Sequence, residues 1–181
     1  MDEATYERFD TSAGFQAAVE RLLTQPGREL RIFDPDGSSL RLNDPARIGQ
    51  LDAFMSASRT RRLYMVIHQT DHILRQCPRF LGLLARFSHA IQINRSHEHI
   101  RELQDAFLVL DSQHYVRRSV AAFYRGAAGF GDDVEALAMR QRFMEIWEAS
   151  FPGRSSRQRI EVYLQSNSHW PNALPTRRRV Y

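Results

Sequence analysis

The sequence contains no lysine. All 25 basic residues are arginine, set against 21 aspartates and glutamates, for a formal charge of +4. Arginine is the stronger bidentate partner for phosphate. Usage this uniform nevertheless reads as the coding bias of a GC-rich bacterial genome, and so mild a charge permits an anionic partner without requiring one. Cysteine is nearly absent too. Cys77 alone excludes an internal disulfide, and its place in an apolar helical pattern predicts a buried, inert thiol. No apolar run approaches the roughly 18 residues needed to cross a bilayer. The opening residues, MDEATYERFD, are acidic and lack the apolar stretch of a secretory signal. These absences lead to the expectation of a cytoplasmic protein with no membrane partner.

What is present is a globular composition: 181 residues, 43% hydrophobic, enough for one domain with a sizeable core. Phe15, Ala18, Val19, Leu22 and Leu23 recur at helical spacing, which predicts a helix over 10–25 capped by Thr11 or Ser12. ELRIF (29–33) predicts a strand closed by the turn DPDG. Asp44 and Pro45 open a second helix with Ile48, Leu51, Phe54 and Met55 inside. RRLYMVIH (61–68) and AIQIN (90–94) predict further strands, separated by a helix over 70–88 that Pro78 interrupts. A short polar helix is expected at 97–103. DAFLVLD (105–111) and HYVRRS (114–119) predict a hairpin, which VAAFYRG (120–126) is expected to extend.

The last helix is expected over 131–150. Asp132 and Glu135 form its capping box, and Val134, Leu137, Phe143, Ile146 and Trp147 its apolar side. Strands alternating with helices imply parallel pairing, and the late hairpin makes the sheet mixed. The expected fold class is therefore α/β, a mixed, mainly parallel sheet sandwiched by helices. Three segments are expected: an N-terminal helix (1–27), the α/β domain (28–151) and a basic C-terminal extension (152–181).

The stretch LQDAFLVLDSQHYVRRS, from Leu103 to Ser119, combines a buried strand, a tight turn and a strand carrying charge outward. With Asp111 as anchor it resembles the phospholipase D superfamily, whose motif runs His-x-Lys, four residues, Asp, six residues, Gly-Ser, then Asn two positions on. The His position falls on Gln104, the Lys position on Ala106, Gly-Ser on Arg118-Ser119 and the Asn on Ala121. The closing pattern of Phe143, Ile146 and Trp147 is similar as well. The resemblance covers residues 28–150 as one half-unit of that fold.

In the family, the His is the nucleophile, a partner His protonates the leaving group and the Lys neutralises phosphate. Gln104 is neither nucleophile nor acid at neutral pH, and Ala106 carries no charge, so the resemblance speaks against catalysis. It also implies that two halves pair about a two-fold axis, hence a homodimer. Gln104, Asp111, Arg118, Ser119 and His114 are the candidates for holding a phosphate-like ligand. Strand alternation sends Arg117 and Arg118 to opposite faces, and whichever points inward could stand in for the missing Lys. No cofactor is expected. The phrases ELRIFDPDG…LRLNDP and CPR…LLARFSHAI are similar to bacterial segments that sometimes accompany acyltransferase domains, which implies an accessory role.

Two other readings stand beside this one. The first is a phosphodiesterase or nuclease using a relocated histidine, His99 or His114. His99-Ile-Arg101 with Asp105 has the wrong gap, and Glu-Leu-Gln lies where an apolar run is needed. The second is a nucleic-acid-binding regulator working through a tail in which Arg154, Arg157, Arg159, Arg177, Arg178 and Arg179 alternate with Tyr163, Trp170 and Tyr181. A metal site is not expected. His97 and His99 diverge on a helix, His68 and His72 lack a cysteine or an HExxH pattern beside them, and no other ligand spacing appears.

Overall fold

The computed structural model describes residues 3–150. Seven strands form one mixed sheet: β1 (Thr5–Phe9), β2 (Glu29–Asp34), β3 (Arg62–Ile67), β4 (Ile91–Arg95), β5 (Ala106–Leu110), β6 (His114–Arg118) and β7 (Gly126–Phe130), in the order β1-β7-β6-β5-β2-β3-β4. The mixed α/β architecture is as expected, but the sheet is mainly antiparallel rather than mainly parallel. Only β2–β3 and β3–β4 run parallel; the four other pairings are antiparallel. A parallel neighbour needs a long crossover. After β4 no α-helix of that kind separates the strands, so the chain returns by loops and a hairpin.

Five helices flank the sheet: α1 (Ser12–Thr24), α2 (Pro45–Ser56), α3 (Asp71–Gln76), α4 (Pro78–Arg86) and α5 (Asp133–Glu148). Thr11 caps α1 by accepting the Gly14 N–H at 3.0 Å. Asp44 caps α2 by accepting the Ala46 N–H, with Pro45 in the first turn. The predicted break at Pro78 separates α3 from α4 at Cys77, whose buried thiol is pushed up to about 11 by desolvation.

One face of the sheet carries α1, α2, α3 and α4, packed on Leu30, Ile32, Leu63, Met65, Leu108, Leu110 and Val116. The other face presents Phe33, Val66, Phe107, Val109 and Tyr115, covered by Ala136, Met139, Phe143 and Ile146 of α5. The alternation along β2 and β5 fixes which residue reaches which layer.

Three sequence expectations need correction. Residues 119–125 form a loop, and the strand that follows is the small-residue segment Gly126–Phe130. β1 went unread, because its five residues Thr-Tyr-Glu-Arg-Phe are polar outside one aromatic pair. In α5, Val134 is 84% and Leu137 43% exposed. Nine residues at about 100° each put Val134 opposite Phe143, so the inward face is Ala136, Met139, Phe143 and Ile146 instead.

Candidate functional site

The hairpin β5–β6 pairs Ala106 with Arg118 and Leu110 with His114. Gln104 precedes β5 and Asp111 follows it, so the five candidate residues do not form one pocket. Seven residues of extended chain separate the two by roughly 24 Å. Gln104, Arg118 and Ser119 gather at the edge formed by the carboxyl ends of β2 and β3, where open α/β sheets bind ligands. Asp111 and His114 lie at the opposite edge.

Asp111 is a brace. It adopts a left-handed conformation (φ 52°), which Asp tolerates better than most residues. Its carboxylate accepts the Arg28 N–H at 3.1 Å and the Glu29 N–H at 2.9 Å, tying the hairpin turn to the start of β2. His114 is buried, and its Nδ1 accepts the Gly131 N–H at 3.0 Å. Desolvation lowers its pKa, with Asp111 and Asp133 opposing. The proton of the neutral ring therefore sits on Nε2, and His114 holds the turn into α5.

At the other edge the two arginines separate as strand alternation requires. Arg117 points outward to Glu135 at 2.8 Å, with both side chains about two-fifths exposed. Arg118 points inward and is buried. One Nη2 hydrogen bond goes to Ser39 Oγ at 2.6 Å, and the same nitrogen lies 3.2 Å from Asp34 Oδ2; Nη1 donates to the Ala121 carbonyl at 2.8 Å. The guanidinium lies 4.4 Å from the Phe15 ring centre and 5.5 Å from that of Tyr124. Arg118 and Asp34 are 2% and 3% exposed, the most buried ion pair among the described residues.

Asp34 is also bound by the Gly37 N–H at 2.7 Å, the Asp36 N–H at 3.2 Å and Ser39 Oγ at 3.3 Å. Desolvation raises its pKa, while Gly37 and Arg118 act against the rise. Burial lowers the pKa of Arg118 in turn, with Asp34 opposing. Backbone N–H groups, the Ser39 hydroxyl and the Arg118 guanidinium thus surround the Asp34 carboxylate with donors.

The register sets what position 106 can hold. Phe33 pairs with Phe107, so Asp34 is level with Ala106, which is level with Arg118. The three lie in one row across β2, β5 and β6, facing the same side. Arg118 reaches over the Ala106 methyl to Asp34, across two strand spacings of roughly 9–10 Å. A lysine at 106 would put a second cation and a long side chain into that bridge.

The backbone at Leu103 and Gln104 is pinned by two hydrogen bonds. Ala121 N–H donates to the Gln104 carbonyl at 2.6 Å. His68 Nε2 donates to the Leu103 carbonyl at 2.8 Å, which leaves Nδ1 to accept Ser96 Oγ–H at 2.6 Å. His68 is thus buried as a latch, while the rings of His97 and His99 stack on each other. Asp105 is held by Arg142 at 2.8 Å. Among the described residues no three His, Cys, Asp or Glu side chains gather as a metal site would require. The terminal arginines 154, 157, 159 and 177–179, with Tyr163, Trp170 and Tyr181, lie outside the described residues. Sequence reasoning missed Asp34 and Ser39, the partners of Arg118. Their signal in the sequence is an Asp ending a buried strand immediately before a turn with two serines.

Solved structures are similar in fold. Nuc from Salmonella typhimurium, a phospholipase D family member, superposes with a TM-score of 0.62 at 12% identity over 84% of this chain and 98% of its own. TrmBL2, described as an archaeal chromatin protein with a novel mode of DNA binding, gives 0.59 at 11% identity over 80% of this chain. This chain spans about half of that one, 53%. A phosphatidylserine synthase from Haemophilus influenzae Rd KW20 gives 0.52 at 10% identity, over 91% of this chain and 45% of that one. At these identities the likeness shows the fold, a phospholipase D-like α/β sandwich. No curated protein sequence matches this chain. The family model described as Domain of unknown function (DUF7931) matches residues 11–158, and the chain belongs to that family.

Proposed function

We propose that the protein is a non-catalytic phospholipase D-like domain that works as a homodimeric structural or binding accessory. The observation that carries this reading is the buried Arg118–Asp34 pair spanning Ala106, where the fold's phosphate-neutralising lysine would project. Gln104 supplies no nucleophile beside it. Both terminal nitrogens of Arg118 are engaged, so an anion at this edge would be held mainly by the exposed Gln104 and Ser119. The similarity of ELRIFDPDG and CPR…LLARFSHAI to segments accompanying acyltransferase domains favours an accessory role.

An activity screen tests the first half. Wild type, His99→Ala and His114→Ala are assayed on bis-p-nitrophenyl phosphate and labelled DNA, and no turnover above buffer is expected. Turnover abolished by either substitution would replace this reading with a relocated-histidine phosphodiesterase. Light scattering at micromolar concentration tests the second half. Twice the chain mass is expected, and a monomer would remove the homodimer from the proposal.

A further inference from the structure

The edge opposite Gln104 and Arg118 concentrates arginine. Arg28 immediately precedes β2, Arg59 and Arg61 lie in the loop before β3, and Arg62 opens that strand. The Arg62 N–H donates to the Arg28 carbonyl at 2.8 Å, so the two segments are in contact. Arg62 Nη1 donates to the carbonyls of Arg59 and Arg61 at 2.9 and 2.8 Å. Arg61 donates to the Phe54 carbonyl at 3.2 Å and lies 4.3 Å from the Phe54 ring centre. Arg28 and Arg59 are exposed.

Among the described residues, none of the four has a carboxylate within ion-pair distance. The six ion pairs among the described residues involve other arginines. Two carboxylates border the cluster, and both are occupied. Glu29 pairs with the buried Arg31 at 2.6 Å, and Asp111 accepts the backbone N–H groups of Arg28 and Glu29. Arg31 keeps Nε and Nη1 buried without an acceptor, a further sign of excess donors at this corner.

Unpaired guanidinium groups repel one another, and two of these are fixed by carbonyls that leave their charge uncompensated. Planar forks held in this way match phosphate oxygens bidentately. The surroundings select among polyanions. The exposed large apolar side chains, Tyr6, Val120, Phe123, Val134, Leu137 and Met144, lie on β1, the 119–125 loop and α5. Among the described residues the corner therefore carries neither the apolar anchor of a membrane site nor the aromatic centre of a protein interface. A surface of arginine alone fits a repeating phosphodiester backbone.

We propose that Arg28, Arg59, Arg61 and Arg62 form a binding surface for the phosphate backbone of nucleic acid, read without base specificity. It goes beyond the function proposed above, because it lies at the other end of the strands and needs neither Gln104 nor Arg118.

The full chain is titrated against a short labelled DNA duplex by fluorescence anisotropy between about 50 and about 200 mM salt. Four phosphate contacts predict a log–log salt slope of about −3.6. Arg28→Glu/Arg59→Glu changes two exposed side chains that make no hydrogen bond or ion pair among the described residues, so folding is retained and circular dichroism confirms it. The variant is expected to bind at least tenfold more weakly, with a slope shallower by about 1.8. Arg86→Gln/Arg142→Gln, on other surfaces, should bind as wild type does. Three results would each overturn the proposal. They are no salt-dependent binding, binding undiminished in the charge-reversed variant, or binding to phosphatidylserine vesicles but not to DNA. The second would move the contact to the terminal arginines. Each is distinguishable from failure of the accessory reading, which the phosphodiester assay and light scattering judge separately.

Discussion

Asp34→Ala is expected to cost about 3–5 kcal/mol of folding stability, because it strands Arg118 in the interior without its counter-charge. Arg118 is 2% exposed and lies between Phe15 and Tyr124, so water cannot replace the carboxylate without opening the packing of α1 against the sheet. The Gly37 and Asp36 N–H groups lose their acceptor in the same step. Guanidinium unfolding measures the loss. Arg118→Met is the informative partner, since it leaves the carboxylate buried and free to neutralise itself by taking a proton.

Burial already raises the Asp34 pKa, and removing the cation raises it further. The folded state of the variant then binds a proton that the unfolded state releases. Its stability is fully present below the ordinary carboxylate pKa and is lost as pH rises through the elevated folded value. Arg118→Met should accordingly be closest to wild type in acid and furthest from it at neutral pH. The double variant Asp34→Leu/Arg118→Met should lose less than the two single losses added together, with a coupling of about 1–3 kcal/mol. Strict additivity would mean that the pair is not the structural unit described.

Gly126→Ala is expected to cost about 3 kcal/mol or more, the upper end for overpacking. A Cβ on Gly126 would stand 2.0 Å from the Arg117 carbonyl oxygen and 2.7 Å from the Phe9 ring. The first obstacle is backbone in the neighbouring strand, so relief requires parting β6 from β7 where Arg118 pairs with Gly126. Gly129→Ala makes the useful comparison. Its Cβ would lie 2.4 Å from the Tyr115 ring, a side chain that can move only by giving up the 3.2 Å hydrogen bond to Asp132. The Tyr115 hydroxyl is pushed up to about 12, mainly by desolvation, and donates to that carboxylate. Thermal denaturation should rank Gly126→Ala below Gly129→Ala, and both below wild type. Equal melting temperatures for all three would mean that β7 sits further from β6 than described.

The parts of this fold that were legible in the sequence are those where a local pattern and the global fold agree. In α1 the spacing of Phe15, Ala18, Val19, Leu22 and Leu23 alone identified every apolar residue the helix buries. Asp44 and Pro45 marked the start of α2 by their chemistry. The hairpin was visible because β5 is apolar throughout and ends at a residue suited to a left-handed turn. What failed was non-local. Gly-Ala-Ala-Gly-Phe carries little strand signal, because its small residues are required by neighbours, the Arg117 carbonyl and the Tyr115 ring, that come from another strand. The direction of β5 beside β2 depends on which element is absent between β4 and β5. At the candidate site, spacing singled out Gln104, Ala106 and Arg118, and alternation sends one of the two arginines inward. Neither could supply Asp34 or Ser39, which come from about 80 residues earlier and meet Arg118 only when β2 and β6 flank β5.

The pairing of β1 with β7 has a consequence for how the protein is made. Thr5 through Phe9 leave a ribosome ahead of every other described strand, and their partners Gly126 through Phe130 emerge more than a hundred residues later. Loop closure over that distance is slow relative to the hairpin, and it cannot begin until β7 exists. During synthesis β1 therefore waits unpaired while β2, β3 and β4 can already assemble behind it. β5, β6 and β7 form a contiguous run of antiparallel neighbours, so they are suited to condense together and present the β7 edge. β1 closes the sheet last, and a nascent chain halted before Gly126 would have every helix of the four-helix face but no place to put β1.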